Sequence, residues 1–219
     1  MQTVPNTALI EFESWTLRVR KTDHLNPRLL LMIHGFTGDE NSMWVFARDL
    51  PTQYWIVAPR APHTTTPSGY SWRPLQADDH GQPSLEQLRP AAEALIKLVD
   101  AYQLSAKIET RIFDVIGFSQ GAAMSNLLTF LYPQRIRKTG ILAGFVPGKL
   151  DELVAKRPLA GKPFFVAHGT KDDTVPVDRA RASIEILEQA GAQVTYCEDE
   201  VGHKVSLNCL RALRSFLAE

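Results

Sequence analysis

Ser119 stands in Gly117-Phe118-Ser119-Gln120-Gly121, directly after the apolar run at 112–116 and directly before Ala123, Leu127 and Leu131 at helical spacing. This G-x-S-x-G pattern gains meaning from its setting, because a strand that turns sharply into a helix lifts the serine hydroxyl above the sheet. The glycines relieve crowding around the turn, and Gly121, Ala122 and Ala123 are small enough for the helix to approach the strands closely. A serine hydroxyl is a weak nucleophile at neutral pH and needs a base, ordinarily an imidazole. Of the six histidines, His203 follows the last strand-like run through Glu200-Val201-Gly202 and precedes the final helical stripe, at the carboxyl edge of the sheet. His34 and His168 also follow strand-like runs, but each is followed by glycine, where a ring can hold its own loop by hydrogen bonds. The order nucleophile, acid, base that accompanies such a turn excludes His34 and leaves His168 without a suitable acid, so His203 is the expected base.

An imidazole base needs a carboxylate to fix its tautomer and to stabilise the imidazolium that forms during reaction. After the run at 164–167 comes His168-Gly169-Thr170-Lys171-Asp172-Asp173-Thr174-Val175-Pro176. Asp172 and Asp173 are adjacent, so only one can face the imidazole and the other is a turn or cap residue; Asp199 is a more remote third. Attack on a carbonyl creates an oxyanion, for which backbone donors are expected at Gln120, after the nucleophile, and at Phe36 in His34-Gly35-Phe36-Thr37-Gly38-Asp39. Trp72, Tyr70, Trp44, Met43, Phe145 and Val146 lie in loops or helix starts near strand ends and are candidates to line an apolar substrate site. Each of them singly is also compatible with ordinary core packing. Arg73 reads as a solvated or salt-bridged arginine.

These groups require a scaffold that brings strand ends together. Residues 8–20 alternate in two short stretches and predict an exposed antiparallel hairpin. From 29–33 onward the apolar runs become continuous, as in strands covered on both faces, and recur at 55–58, 112–116, 140–143, 164–167 and 194–197. Helical stripes separate most of them: Met43, Ala47 and Leu50; Leu88, Ala92, Leu95, Val99 and Tyr102; Ala180, Ile184 and Leu187; Leu210, Leu213 and Leu217. Ser84 and Gln87 have capping-box spacing, while Pro90 predicts a kink or a later helix start. The alternation implies right-handed crossovers and a mostly parallel sheet with helices on both faces, in one α/β domain over 1–219. The exception is 60–83, proline-rich and almost without periodicity, a loop long enough to be functional.

With 219 residues, 44% of them hydrophobic, the chain needs no metal or disulfide to fold. A formal net charge of zero, with no basic run, argues against nucleic-acid or anionic-membrane partners. Cys197 and Cys209 lie in no metal-ligand spacing and are expected to be reduced, partly buried thiols. The segment 1–9 has neither a basic start nor an apolar core, and no apolar run approaches the ~18 residues that span a bilayer. A cytoplasmic protein acting on a small molecule, as a monomer or homodimer, is the expectation.

The residues resemble the α/β-hydrolase superfamily, and more narrowly the phospholipase/carboxylesterase family of bacterial carboxylesterases and acyl-protein thioesterases. The likeness runs from Leu31 to the end of the chain. It rests on His34-Gly35-Phe36, Pro59-Arg60-Ala61-Pro62 with Gly69-Tyr70-Ser71-Trp72, Gly117-Phe118-Ser119-Gln120-Gly121-Ala122, His168-Gly169 with Asp172 and Val175-Pro176, and Gly202-His203. It implies an α/β-hydrolase fold without a large cap domain, and a serine carboxylesterase with Ser119 as nucleophile, His203 as base and Asp172, rather than Asp173, as acid. No metal or organic cofactor is implied. Acyl-protein thioesterases follow the tryptophan of the long loop with Phe-Asp, whereas Arg73-Pro74 follow Trp72 here, so the likeness is closer to the bacterial carboxylesterases. The rival readings are a thioesterase or lysophospholipase using the same three residues, and a silent member of the fold that binds a small molecule or protein.

Overall fold

The apolar run at 29–33 forms β3 (Arg28–Ile33), and its side chains divide by parity. Leu29, Leu31 and Ile33 enter one hydrophobic cluster, and Leu30 and Met32 enter another on the opposite face. Phe164 and Val166 part from Phe165 and Ala167 in the same way on β9 (Pro163–Gly169). Alternation in a strand sends successive side chains to opposite faces, so an unbroken apolar run demands cover on both sides.

The structure, a computed structural model, describes residues 6–75 and 83–219. One sheet of eight strands has the order β1 (Ala8–Phe12), β2 (Trp15–Arg20), β4 (Tyr54–Pro59), β3, β7 (Phe113–Phe118), β8 (Ile136–Leu142), β9, β10 (Gln193–Asp199). The first two strands form the expected hairpin, β2 runs antiparallel to β4, and every pairing from β4 to β10 is parallel. A separate two-stranded ribbon joins β5 (His63–Thr64) to β6 (Tyr70–Ser71) inside the long loop, whose residues 76–82 lie outside the described residues.

One face of the sheet is covered by α1 (Leu85–Ser105), α2 (Gln120–Leu131) and α4 (Val177–Gln189). The other is covered by a short 3-10 turn at Ser42–Phe46 and by α5 (Leu207–Ala218). A fifth helix, α3 (Asp151–Ala155), has no buried residue and left no stripe in the sequence. Ser84 forms the full capping box with Gln87, so α1 starts there and runs through Pro90, which forgoes only its own N–H bond. Among the described residues no helix is long and apolar enough to cross a membrane.

Two expectations are corrected. Met43, Ala47 and Leu50 do not share an α-helix. The Glu40 carbonyl that an α-helical Trp44 N–H would use is taken by the Trp44 indole at 2.9 Å, and the Trp44 amide turns to Asn41 O at 3.4 Å. Nor are the cysteines free thiols, since Cys197 on β10 and Cys209 in the first turn of α5 form a disulfide. Their sequence separation of 12 says nothing of distance, but the helix folds back on its own strand and leaves the two Cα atoms 5.7 Å apart, within the span a disulfide bridges.

Candidate active site

The turn that carries Ser119 is built by close approach. Ser119 has φ 55° and ψ −115°, a left-handed backbone that a non-glycine residue adopts only when its surroundings impose it. A Cβ at Gly117 would lie 2.1 Å from Gly121 O, and one at Gly121 would lie 2.0 Å from Ile33 O. Both positions therefore exclude any side chain, and their absence lets α2 start immediately after β7, against β3.

Register then aligns the donors. β3 and β7 are neighbours at the point where the chain leaves for β4 on one side and returns to β7 on the other. Such switch points open a crevice at the carboxyl ends of parallel strands. Ile33 pairs with Gly117, so Phe36 and Gln120 each stand three residues beyond a matched pair. Neither of their amides has a hydrogen-bond acceptor among the described residues.

His34, 1% exposed, shapes the first of these donors. Its Nδ1–H donates to Gly35 O at 2.7 Å and its Nε2 accepts from Ala61 N–H at 3.0 Å, which fixes one neutral tautomer. Gly35 O and the Phe36 N–H belong to one planar peptide and point in opposite directions, so the ring that holds the carbonyl also aims the amide. Burial pushes the His34 pKa below its ordinary value, against its bond to Gly35 O and the pull of Asp39 and Glu40.

On the other side of Ser119, β9 and β10 bring two loops together. His203 Nδ1–H donates to Asp172 Oδ2 at 2.7 Å, and Asp172 Oδ1 accepts from Thr174 and Val175 N–H at 2.9 and 2.8 Å. The Asp172 side chain is wholly buried while that of His203 is 23% exposed, so the imidazole reaches solvent from a fixed carboxylate. Asp173 is exposed, and Asp199 spends an oxygen on the Glu200 amide. His168 is buried beside them, donating Nε2–H to Val175 O at 2.8 Å. The Phe118 ring packs between His203, 4.9 Å away, and Phe46, 5.8 Å away.

Ser119 and His203 line one cavity of about 590 Å³, with Phe36, Met43, Val45, Phe46, Phe118, Val205 and Leu210 among its other walls. The Ser119 hydroxyl makes no hydrogen bond to a described residue, a looseness common before substrate binds. Of the six substrate-lining candidates, Met43 alone lies on this cavity. Trp72 is fully buried and donates its indole N–H to His34 O at 2.8 Å, beneath the Phe36 loop. Tyr70 meets the Arg60 guanidinium at 4.8 Å and pairs its backbone with Thr37 and Gly38. Trp44 is buried, Phe145 stacks under Arg179 at 4.1 Å, and Val146 lines a different cleft beside α3 and α4. Arg73 is buried and donates to Gln87 Oε1 at 2.9 Å. The walls that sequence reasoning missed have weak signals: Phe118 sits inside the G-x-S-x-G motif and Leu210 opens the last helical stripe, while Val45, Phe46 and Val205 belong to no motif or stripe. No cluster of three or more His, Cys, Asp or Glu among the described residues is arranged to hold a metal.

The profile of the family described as Phospholipase/Carboxylesterase matches residues 16–219. The chain belongs to that family. Among its phospholipase/carboxylesterase relatives, the probable carboxylesterase SOBER1-like of Arabidopsis thaliana is 25% identical, over 94% of this chain and 84% of the relative. The acyl-protein thioesterase 1 of Debaryomyces hansenii is 27% identical, over 80% and 82%. A carboxylesterase from Mesorhizobium loti superposes with a TM-score of 0.81 at 20% identity, covering 97% of this chain and 99% of that one. At that identity the superposition speaks for the fold alone, which is the α/β-hydrolase fold. Its sheet and surrounding helices are those described above.

Proposed function

We propose that this phospholipase/carboxylesterase family member is a serine carboxylesterase that hydrolyses small to medium carboxylic esters through an acyl-enzyme on Ser119. The observation that carries the reading is the convergence on one cavity of a strained Ser119 and a His203 whose Nδ1–H is held by buried Asp172. Ser119 Oγ attacks the ester carbonyl while His203 Nε2 takes its proton, and Asp172 stabilises the imidazolium. The oxyanion accepts from the Phe36 and Gln120 amides. His203 returns the proton to the departing alcohol, then draws one from water, whose oxygen attacks the acyl carbon, and passes it to Ser119 Oγ as the acyl bond breaks and the acid leaves. The apolar walls formed by Phe36, Met43, Val45, Phe46, Val205 and Leu210, with Lys204 also lining the cavity, suit an apolar acyl or alcohol group.

A second substrate class, the thioester, is supported by the likeness to an acyl-protein thioesterase at 27% identity. The same residues serve it, since only the leaving atom changes. A matched panel of esters and thioesters of increasing acyl length separates the two. The reading expects kcat/KM on oxygen esters to exceed that on the matched thioesters; the reverse order along the whole panel moves the substrate class, and no turnover of either removes the reading. A cytoplasmic setting belongs to this proposal too, and fractionation of the source cells tests it.

A further inference from the structure

We infer that the Cys197–Cys209 disulfide is a positioning clamp for the His203 imidazole, so that the redox state of this bridge sets the rate of turnover. The inference rests on the Ser119–His203–Asp172 reading above. His203 lies in the seven-residue connection, 200–206, between β10 and α5, and the bridge spans that connection from strand to helix.

The two ends of the connection are held unequally. On the incoming side, Thr170 N–H donates to Asp199 O at 2.9 Å and Lys171 N–H to Val201 O at 3.0 Å, which zips the loop to the one carrying Asp172. A Cβ at Gly169 would lie 2.2 Å from Val201 O, so the two loops are in contact there. From 202 onward this support stops. Lys204 N–H bonds only to Gly202 O inside the loop, and no described backbone group outside it bonds to the main chain of 202–205. Side chains hold the loop here, His203 on Asp172 at 2.7 Å and under the Phe118 ring and Val205 against the core; the next main-chain anchors are the α5 cap, where the Ser206 hydroxyl accepts from Cys209 N–H at 3.1 Å, and the bridge itself. Cys209 is 1% exposed among the residues α5 buries, and Cys197 pairs in register with Ala167, five residues before Asp172. The covalent link therefore ties the outgoing end of the His203 loop to the strand beside the one that leads to Asp172.

Opening the bridge needs two electrons and two protons. An external dithiol supplies them: its first thiolate attacks one bridge sulfur and expels the other as a thiolate, its second thiolate then closes onto its own bound sulfur and expels the attacked one, and it departs as a cyclic disulfide, leaving two protein thiols once both are protonated. The main-chain zipper to Val201 survives this, so the protein stays folded, but 202–206 lose their covalent outgoing anchor. Proton transfer through His203 depends steeply on the position of the ring, whereas filling of the cavity by a short substrate depends mainly on its other walls. A cytoplasmic thiol pool would make such a bridge responsive rather than permanent.

The test compares oxidised enzyme with the same enzyme reduced by dithiothreitol, thiols counted by mass, using p-nitrophenyl acetate. The expected result is a fall in kcat of about tenfold with KM changed less than about twofold, faster amide exchange confined to 199–206, and recovery on reoxidation. The Cys197→Ala/Cys209→Ala double variant is expected to match the reduced enzyme and to ignore dithiothreitol. An unchanged kcat with two thiols counted overturns the clamp, as does a fall in kcat with exchange quickened equally across β7 and β8. Ser119→Ala is run in parallel. If that variant still turns over, the triad reading fails by itself; if it is dead while reduction changes nothing, only the clamp fails.

Discussion

Asp172 and Asp173 differ by one position in the chain and by everything in their surroundings. Asp172 is buried, receives two backbone N–H groups on one oxygen and presents the other to His203, while Asp173 is exposed. Asp172→Asn exchanges an anion for an amide that cannot hold the same imidazole tautomer, and kcat should fall by roughly 10³ to 10⁴. Asp173→Asn should stay within about threefold of wild type. Steady-state kinetics of the pair checks this, and the reverse ranking would move the acid by one residue. The choice was left open by spacing alone, because adjacent carboxylates cannot be ranked without knowing which way the turn aims them.

His34 carries a second prediction at this scale. Protonating Nε2 would set an N–H against the Ala61 N–H, and burial already lowers the pKa of the ring. The unfolded chain takes up a proton near the ordinary value of 6.5 that folded His34 refuses. Stability from this group is thus full above that pH and declines as pH falls below it. Denaturant midpoints should drop more for wild type than for His34→Gln between roughly pH 7.5 and pH 5.5. The variant should also lose about tenfold in kcat with little change in KM, since the Phe36 amide, the proposed oxyanion donor, is less firmly aimed. Equal midpoint shifts would refute the first expectation, and an unchanged kcat the second.

Elements position these side chains by register and by close contact. The Ser119 turn depends on α2 touching β3 at Gly121, where a methyl group would meet the Ile33 carbonyl at 2.0 Å. Gly121→Ala must push helix from strand, and a loss of about 3 kcal/mol or more in folding stability is expected, with the Ser119 angle disturbed. Calorimetric or denaturant unfolding reads it; a fully stable variant would mean that the contact yields. The long strands and amphipathic helices were legible because parity and 3.6-residue stripes repeat over enough positions. The two-residue strands β5 and β6 were not, since they rest on two pairs alone, His63 with Ser71 and Thr64 with Tyr70, too few positions for an alternating pattern to register. The 3-10 turn was misread for a related reason: one indole took the carbonyl that an α-helix requires.

At the scale of the molecule, zero net charge and a cavity walled mainly by apolar side chains are consistent with the proposed neutral ester, which would gain nothing from a steering field. One sheet of eight strands gathers the Phe36 loop, Ser119, Asp172 and His203 at the carboxyl ends of β3, β7, β9 and β10. That gathering was readable from motif order along the chain. Most of the other cavity walls and the disulfide were not: Val45 and Phe46 come from the misread 3-10 turn, while Leu210 and the bridge depend on how α5 folds back over the sheet. The account stands most directly on the hydroxyl of Ser119. Measured as kcat/KM on the best ester of the panel, Ser119→Ala should lose at least about 10⁴-fold while keeping the wild-type unfolding curve. A folded Ser119→Ala protein that hydrolyses that ester at the wild-type rate would contradict it.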